Sequence, residues 1–353
     1  MTVPGLFSTG TPPTRDTYRP LRMSNPPLRW LCSLSCFLAA YVLMCMAAGV
    51  IVASGALHPG RRLVEPAALS TLRQTARSLD ASLEDAEITT ADGVRLRGWS
   101  LLPSAANGDA VILLHGLGDN RMGMIGHAEI LLRHGYAVLM PDARAHGESG
   151  GELATYGLLE RQDIRRWFDW LTAREHPGCI FGLGESMGAA QLLQALQTEP
   201  HFCAVVAESS FCNFREIAYD RVGQFFHTGP WLGRSVLRPV VKFAFLYSRW
   251  KYGLNMSEVS PENAVAGTSV PVFLIHGEVD SNIPVRHSRR IAARNPAVVL
   301  WEVPQANHCG AISVAGEKFT VRLIAWLADH DRSAKHAIQS RTAASVRECL
   351  KVP

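Results

Sequence analysis

The chain carries Gly184-Glu185-Ser186-Met187-Gly188 between an apolar run that ends at Phe181 and a helix-like stretch over 189–198. A serine between two glycines at a strand-to-helix junction is held at the tip of a sharp turn, because glycine-sized neighbours let the chain turn tightly. Ser186 is therefore a candidate nucleophile. The same interpretation predicts an acid and then a histidine, in that order, later in the chain.

Length and composition indicate a globular protein with a large core. The chain has 353 residues, of which 47% are hydrophobic and 19% are charged. Its net charge is only +4 and much of the excess lies near the two ends, so we predict no nucleic-acid partner. Eight cysteines without metal-type spacing predict no disulfide framework, and we interpret Cys179 and Cys203 as small core residues.

An uncharged segment, Trp30–Leu57, is long enough to cross a bilayer as a helix, which needs about 20 residues. We interpret it as a single uncleaved membrane anchor. The alternatives are a buried core helix and a signal peptide cleaved near Ala53-Ser54-Gly55, which would leave a secreted protein. Four arginines precede the segment, while Arg61 and Arg62 follow it, so its N-terminal side is predicted to be cytoplasmic. The remaining chain would then be periplasmic or otherwise extracytoplasmic.

Hydrophobic patterning predicts an α/β fold with a mostly parallel central sheet. Alternating residues on both sides of Asp92-Gly93 indicate an antiparallel hairpin at one edge. Short apolar runs separated by helix-like segments indicate buried strands with helices on both faces. The runs span 110–114, 136–140, 179–183, 203–207, 270–275 and 298–303. The helix-like segments span about 123–134, 158–174, 186–198, 285–294 and 313–329.

A long insertion, about sixty residues between the runs at 203–207 and 270–275, is the usual place for a helical cap. Its aromatic residues either line an apolar substrate pocket or only pack the cap onto the body. They are Phe225, Phe226, Trp231, Phe243, Phe245, Tyr247, Trp250 and Tyr252. The predicted division of the chain is a basic arm over 1–29, a membrane segment over 30–57, a linker over 58–83, a catalytic domain over 84–335 with its cap at about 211–262, and a basic tail over 336–353.

Two predicted strand ends downstream of Ser186 supply the acid and the histidine. Asp280 follows the run at 270–275, where site residues of open α/β sheets gather, and we prefer it to the nearby Glu278. His308 follows the last apolar run on a loop, and among thirteen histidines it has both the expected order and the expected place. The chain order serine, aspartate, histidine distinguishes this arrangement from other triads.

A glycine-rich turn, His115-Gly116-Leu117-Gly118, follows the first of the buried strands and leaves backbone N–H groups free. We predict that the N–H groups of Leu117 and Met187 bind the negative oxygen of a tetrahedral intermediate. Each such donor contributes about 3 kcal/mol in the transition state. A phosphate-binding loop is the rival interpretation, but the Gly-Lys-Ser/Thr that it needs is absent from this turn.

Five motifs, in this order, resemble the α/β-hydrolase superfamily: HGLGDNR, PDARAHGESGG, GLGESMGA, IHGEVDSNIP and NHCG. They are most similar to its membrane-anchored or secreted bacterial serine hydrolases, near the Bem46-like and S33-type serine-aminopeptidase-like groups. The resemblance covers about residues 84–330. It implies an α/β-hydrolase fold with Ser186 as nucleophile, His308 as base and Asp280 as orienting acid. It also implies Leu117 and Met187 as oxyanion donors.

The predicted reaction is acyl transfer from a small ester or thioester, or from a lipid-like substrate. His308 takes the proton of Ser186 as the hydroxyl attacks a carbonyl, and water later releases the acid. No metal or organic cofactor is predicted. A serine peptidase of the aminopeptidase type is the second hypothesis, and it would need acidic groups such as Glu185 or Glu278 near the site. A non-catalytic binding protein of the same fold is the third.

Overall fold

The computed structural model describes residues 1–2 and 28–332, and this part of the chain contains one eight-stranded sheet. The strands are β1 (Ala81–Thr89), β2 (Arg95–Pro103), β3 (Ala110–Leu114), β4 (Ala137–Pro141), β5 (Ile180–Glu185), β6 (Val205–Glu208), β7 (Val272–Gly277) and β8 (Val299–Val303). Their order is β1-β2-β4-β3-β5-β6-β7-β8. β2 pairs antiparallel with both β1 and β4, and every other pair of neighbours is parallel. The predicted hairpin edge and mostly parallel sheet are confirmed.

Helices cover both faces of this sheet. Successive residues of a strand point to opposite sides, so each strand contributes side chains to a buried cluster on either face. Val111 and Leu113 of β3 belong to one buried cluster, whereas Ala110, Ile112 and Leu114 belong to another. The first cluster includes residues of α2 (Pro66–Ser78), α3 (Ile125–Arg133), α11 (Ala311–Ala315) and α12 (Glu317–Asp329). The second includes residues of α4 (Glu160–Glu175), α5 (Met187–Ala195), α9 (Pro261–Ala266) and α10 (Arg286–Ala292).

The helix predicted over 313–329 is wrong in one respect, because the structure has two helices there, α11 and α12. Gly316 separates them with a φ of 52° and a ψ of −123°, a non-helical conformation that glycine adopts without steric cost. The other predicted helices agree with the structure to within a few residues at each end.

The chain divides into two units, Met1–Met44 and Cys45–Pro353, with the division inside the long helix α1 (Leu28–Leu57). Trp30–Leu57 has a mean hydropathy of 2.4 and is long enough to cross a membrane, a test that a signal sequence also passes. Apart from residues 1–2 and 28–29, the predicted basic arm lies outside the described residues, as does the predicted tail at 336–353. The remaining domain boundaries stay predictions.

The insertion between β6 and β7 is helical, as predicted. It contains α6 (Phe214–Phe225), α7 (Trp231–Arg234) and α8 (Arg238–Tyr252), followed by α9. Among its aromatic residues, Phe245 packs against Phe214 with ring centroids 6.0 Å apart and lines a small apolar cavity of about 30 Å³. Four others are exposed, namely Phe225, Phe226, Trp231 and Trp250. Phe245 also packs against the hydrophobic cluster that includes Met187 and Ala190 of α5, so it joins the cap to the body, while the exposed group faces solvent.

Cys179 and Cys203 form a disulfide, which corrects the prediction that both are free core residues. Their Cα atoms are 5.8 Å apart and they are separated by 24 residues in the chain. Cys179 lies one residue before β5 and Cys203 two residues before the neighbouring parallel strand β6. The two cysteines meet because of the sheet order rather than because of their spacing in the chain.

Candidate active site

Ser186 lies in the turn between β5 and α5, where its backbone adopts φ 53° and ψ −109°. Two glycines make this turn possible. A Cβ at Gly184 would lie 2.6 Å from the carbonyl carbon of Gly188, and a Cβ at Gly188 would lie 2.3 Å from the carbonyl oxygen of Leu114. The N–H of Ser186 donates to the carbonyl oxygen of Glu208 at 2.8 Å, which ties the turn to β6.

The structure brings Ser186, His308 and Asp280 together beyond the ends of three parallel strands. His308 Nε2 lies 3.0 Å from Ser186 Oγ, and His308 Nδ1 lies 2.8 Å from Asp280 Oδ2. Ser186 and His308 are partly exposed and Asp280 is buried, whereas the alternative acid Glu278 is exposed. This geometry lets the imidazole donate its Nδ1 proton to the carboxylate and present Nε2 to the hydroxyl.

Hydrogen bonds keep Asp280 ionised. Burial alone would raise its pKa, but hydrogen bonds from His276 and His308 and from the Ile283 N–H hold the pKa well below its usual range. The N–H groups of Asn282 and Ile283 donate to Asp280 Oδ1 at 2.9 and 2.8 Å. The carboxylate therefore carries a negative charge at neutral pH.

His276 supports this pair, although no sequence pattern assigns it a role. It is fully buried at the end of β7, with Nδ1 2.7 Å from Ser288 Oγ. Its Nε2 lies 2.7 Å from the Ile283 carbonyl oxygen and 3.4 Å from Asp280 Oδ2. His276 thus fixes the loop that carries Asp280. Its position four residues before the acid is the one signal that the sequence offers.

Leu117 and Met187 lie on the two turns next to Ser186. Met187 is the first residue of α5, and Leu117 follows Gly116, where a Cβ would lie 3.6 Å from Ser186 Cβ. Within residues 28–332, neither the Leu117 N–H nor the Met187 N–H donates to another protein group. Both predicted oxyanion donors are therefore free to bind a ligand oxygen.

His115 holds the first of these turns. Its Nδ1 donates to the Gly116 carbonyl oxygen at 2.8 Å, and its Nε2 accepts from the Ala143 N–H at 3.1 Å. These two hydrogen bonds require the neutral imidazole, in which one ring nitrogen donates and the other accepts. Burial lowers the pKa of His115, which also favours the neutral form. The side chain thus positions the backbone around Leu117 without adding charge to the site.

A second histidine–carboxylate set lies beside the nucleophile turn. The ligand atoms of His127, Glu185 and Glu208 all lie within 4.8 Å of one another. Burial and the nearby Glu208 raise the pKa of Glu185 to about 8, and burial raises the pKa of Glu208 to about 7. Burial also lowers the pKa of His127 to about 4. The side chain of Glu185 is only 15% exposed, although the residue directly precedes Ser186.

Residues 111–320 match the model of a family described as the alpha/beta hydrolase family. The uncharacterised protein YqkD of Bacillus subtilis (strain 168) is 29% identical over 210 residues, which is 58% of this chain and 65% of YqkD. The chain thus spans just under two thirds of that relative. The thiohydrolase aneE of Aspergillus aculeatus is 33% identical over 101 residues, which is 28% of this chain and 31% of that protein.

Among solved structures, the esterase Pf2001 of Pyrococcus furiosus is similar, with a TM-score of 0.59 and 29% identity. The match covers 76% of this chain and 95% of that protein. The family model spans more than half of the sequence and includes the strands that carry the Ser186 turn, Asp280 and His308. The chain belongs to the alpha/beta hydrolase family.

Proposed function

We propose that this hydrolase cleaves carboxylic esters or thioesters through an acyl-enzyme on Ser186. The observation that carries the proposal is the continuous path from Ser186 Oγ to His308 Nε2 at 3.0 Å, and from His308 Nδ1 to Asp280 Oδ2 at 2.8 Å. The strained turn at Ser186 and the ionised state of Asp280 support it. The fold, the family and the esterase among its structural neighbours support hydrolase activity more generally.

The mechanism follows from this path. His308 Nε2 takes the proton of Ser186 as Oγ attacks the carbonyl carbon, while Asp280 stabilises the imidazolium. The N–H groups of Leu117 and Met187 bind the resulting oxyanion. His308 then gives the proton to the leaving alcohol or thiol, and the acyl group stays on Ser186. Water that loses a proton to His308 attacks the acyl-enzyme, and Ser186 recovers its proton as the acid leaves.

An ester or thioester fits this site better than a free peptide amine. Of the two acids that the sequence offers to hold an amine, Glu185 is largely buried against His127 and Glu208, and burial favours its uncharged form. Glu278 is exposed, and the acid that contacts His308 is Asp280. A small acyl ester, a thioester or a lipid-like ester is therefore the substrate class that we propose, with an aminopeptidase substrate second.

We also propose that helix α1 is retained as an anchor. Its C-terminal part packs into the catalytic unit, where Cys45, Ala53 and Leu57 are buried. The Tyr156 hydroxyl donates to the Ala56 carbonyl oxygen at 2.7 Å. Cleavage near residues 53–55 would remove the buried Cys45 and Ala53 from this packing and would leave Ala56 and Leu57 at the new N-terminus, which disfavours a cleaved signal peptide.

The disulfide supports a location outside the cytoplasm. Disulfides persist in oxidising compartments and are rare in cytosolic proteins. The Cys179–Cys203 bond thus supports the same location as the excess of arginine before Trp30. We propose a catalytic unit on the extracytoplasmic side of the membrane.

The test uses the full chain in detergent. A fluorophosphonate probe should label the protein, and Ser186→Ala should abolish labelling, whereas Ser257→Ala, at an exposed serine of the cap, should leave it intact. Hydrolysis of p-nitrophenyl esters of graded chain length, compared with aminoacyl-p-nitroanilides, separates esterase from peptidase. Labelling that survives Ser186→Ala would place the nucleophile elsewhere.

A further inference from the structure

Two buried side chains and one that is 15% exposed converge beside the nucleophile turn without taking part in the proposed reaction. His127 comes from α3, Glu185 from the end of β5, and Glu208 from the end of β6. Their nitrogen and oxygen ligand atoms lie within 4.8 Å of one another, and His127 Nε2 is 3.6 Å from Glu185 Oε1. His127 is 2% exposed and Glu208 is 1% exposed. We call these three residues the buried cluster.

The buried cluster has unsatisfied polar atoms. His127 Nε2 and Glu208 Oε2 are both buried and have no hydrogen-bond partner in the described part of the chain. The other oxygen of Glu208 accepts a hydrogen bond from the Ala311 N–H at 2.9 Å. Buried polar groups are nearly always paired, and each unpaired one calls for an explanation, such as an ion.

The buried cluster also has no cationic partner. Within residues 28–332, no lysine or arginine forms an ion pair with Glu185 or Glu208, and the ion-pair contact of Glu185 is with His127. By contrast, the buried Arg144 and Asp163 satisfy each other through two hydrogen bonds of 2.7 Å. Buried carboxylates are normally paired with a cation or coordinate a metal, because an isolated buried charge is costly.

We propose that the buried cluster binds one divalent transition-metal ion, of which Zn²⁺ is the representative, through His127 Nε2 and a carboxylate oxygen of Glu185 and of Glu208. One imidazole with two carboxylates suits zinc, whereas calcium and magnesium prefer ligand sets made only of oxygen. Bonds of about 2.1 Å in a tetrahedral site place ligand atoms about 3.4 Å apart. The 3.6 Å between His127 Nε2 and Glu185 Oε1 is close to that spacing.

The metal would join three elements of the catalytic unit and would not enter the proposed acyl transfer. The main chain of Glu208 accepts the hydrogen bond from the Ser186 N–H, and its side chain holds Ala311, three residues after His308. Binding is therefore expected to stabilise the fold and the scaffold of the site. Since binding is measured without substrate, its failure and the failure of the proposed function are distinguishable.

The test uses untagged full-length protein in detergent, stripped with a chelator, loaded with Zn²⁺ and desalted. We expect about one bound zinc per chain by elemental mass spectrometry, and a melting temperature about 5 °C higher than in chelator. Ca²⁺ at the same concentration should give no shift. Glu208→Gln, Glu185→Gln and His127→Asn should each lose the bound zinc and the shift.

A matched control removes a histidine elsewhere. His201→Asn removes an exposed histidine whose Nδ1 lies 2.7 Å from Glu199 Oε1, and this variant should bind zinc as the wild type does. Near-ultraviolet circular dichroism in chelator identifies the variants that keep the native fold. The proposal is overturned if the stripped wild type retains no zinc after loading, or if a folded variant of the buried cluster retains as much as the wild type. Either result means that the buried cluster does not hold the zinc.

Discussion

Two histidine–carboxylate sets flank the nucleophile turn, and they differ in how their charges are satisfied. In the first, Asp280 receives hydrogen bonds from His308 and from two backbone N–H groups, which hold its pKa well below its usual range. In the second, burial dominates and raises the pKa values of Glu185 and Glu208. The number of donors that face a carboxylate, rather than its closeness to a histidine, therefore decides whether it is charged.

A third set shows why residue types alone do not identify a site. His287 Nε2 lies 2.7 Å from Asp220 Oδ2, and its Nδ1 lies 3.1 Å from the sulfur of Cys212, which resembles a cysteine triad. However, Cys212 is fully buried, and burial raises the pKa of its thiol to about 12. The thiolate needed for nucleophilic attack is therefore not available at neutral pH.

The largest expected effect is a difference in kcat between a variant of the Ser186–His308–Asp280 set and a variant of the buried cluster. His308→Ala should lower kcat by about 10⁶-fold, because it removes the base that activates Ser186. His127→Asn should lower kcat by about tenfold at most, since His127 contacts no reacting atom. Ester hydrolysis at saturating substrate measures both. A loss at His127 as large as that at His308 would contradict the assignment of the base.

The choice of acid gives the next largest effect. Asp280→Asn should lower kcat by about 10⁴-fold, because the amide favours the wrong imidazole tautomer and does not stabilise the imidazolium. Glu278→Gln is the matched control at an exposed carboxylate on the same loop and should leave kcat within about twofold. Equal losses in the two variants would contradict the assignment of Asp280 as the acid that orients His308.

The buried cluster predicts a smaller effect on stability. The folded state holds the Glu185 proton up to a pKa of about 8, against 4.5 when the residue is exposed, so the folded state binds more protons in this interval. The free energy of unfolding should therefore fall as pH rises from 5 to 8, by up to about 1.4 kcal/mol per pH unit for this group. Glu185→Gln should flatten that slope in urea titrations with chelator present, and an unchanged slope would contradict the raised pKa.

The smallest effect concerns the third set. Cys212→Ala removes a buried sulfur and should lower the free energy of unfolding by about 1–2 kcal/mol. The kcat should stay within about twofold, because Cys212 contacts neither Ser186 nor His308 in the described structure. Urea unfolding and ester hydrolysis measure the two quantities. A large loss of kcat in a folded Cys212→Ala variant would contradict this prediction and would mean that the third set contributes to catalysis.

Sequence patterns predicted the elements whose requirements are local. The Ser186 turn follows from two glycines that leave no room for a Cβ, and buried strands follow from short apolar runs. Asp280 and His308 were found because the ends of parallel strands collect at one edge of a sheet. The distances of 2.8 Å from His308 to Asp280 and of 3.0 Å from His308 to Ser186 come from the structure.

The tertiary structure alone decided the features that depend on neighbours distant in the chain. The Cys179–Cys203 bond requires β5 beside β6, and the buried cluster requires α3 to lie near the ends of both strands. The contact through which His276 supports Asp280 was also visible only in the tertiary structure. Apolar periodicity and turn residues report the conformation of a short segment, so they reveal that a strand forms. The partners of a side chain depend on the order in which the strands assemble, which no local pattern encodes.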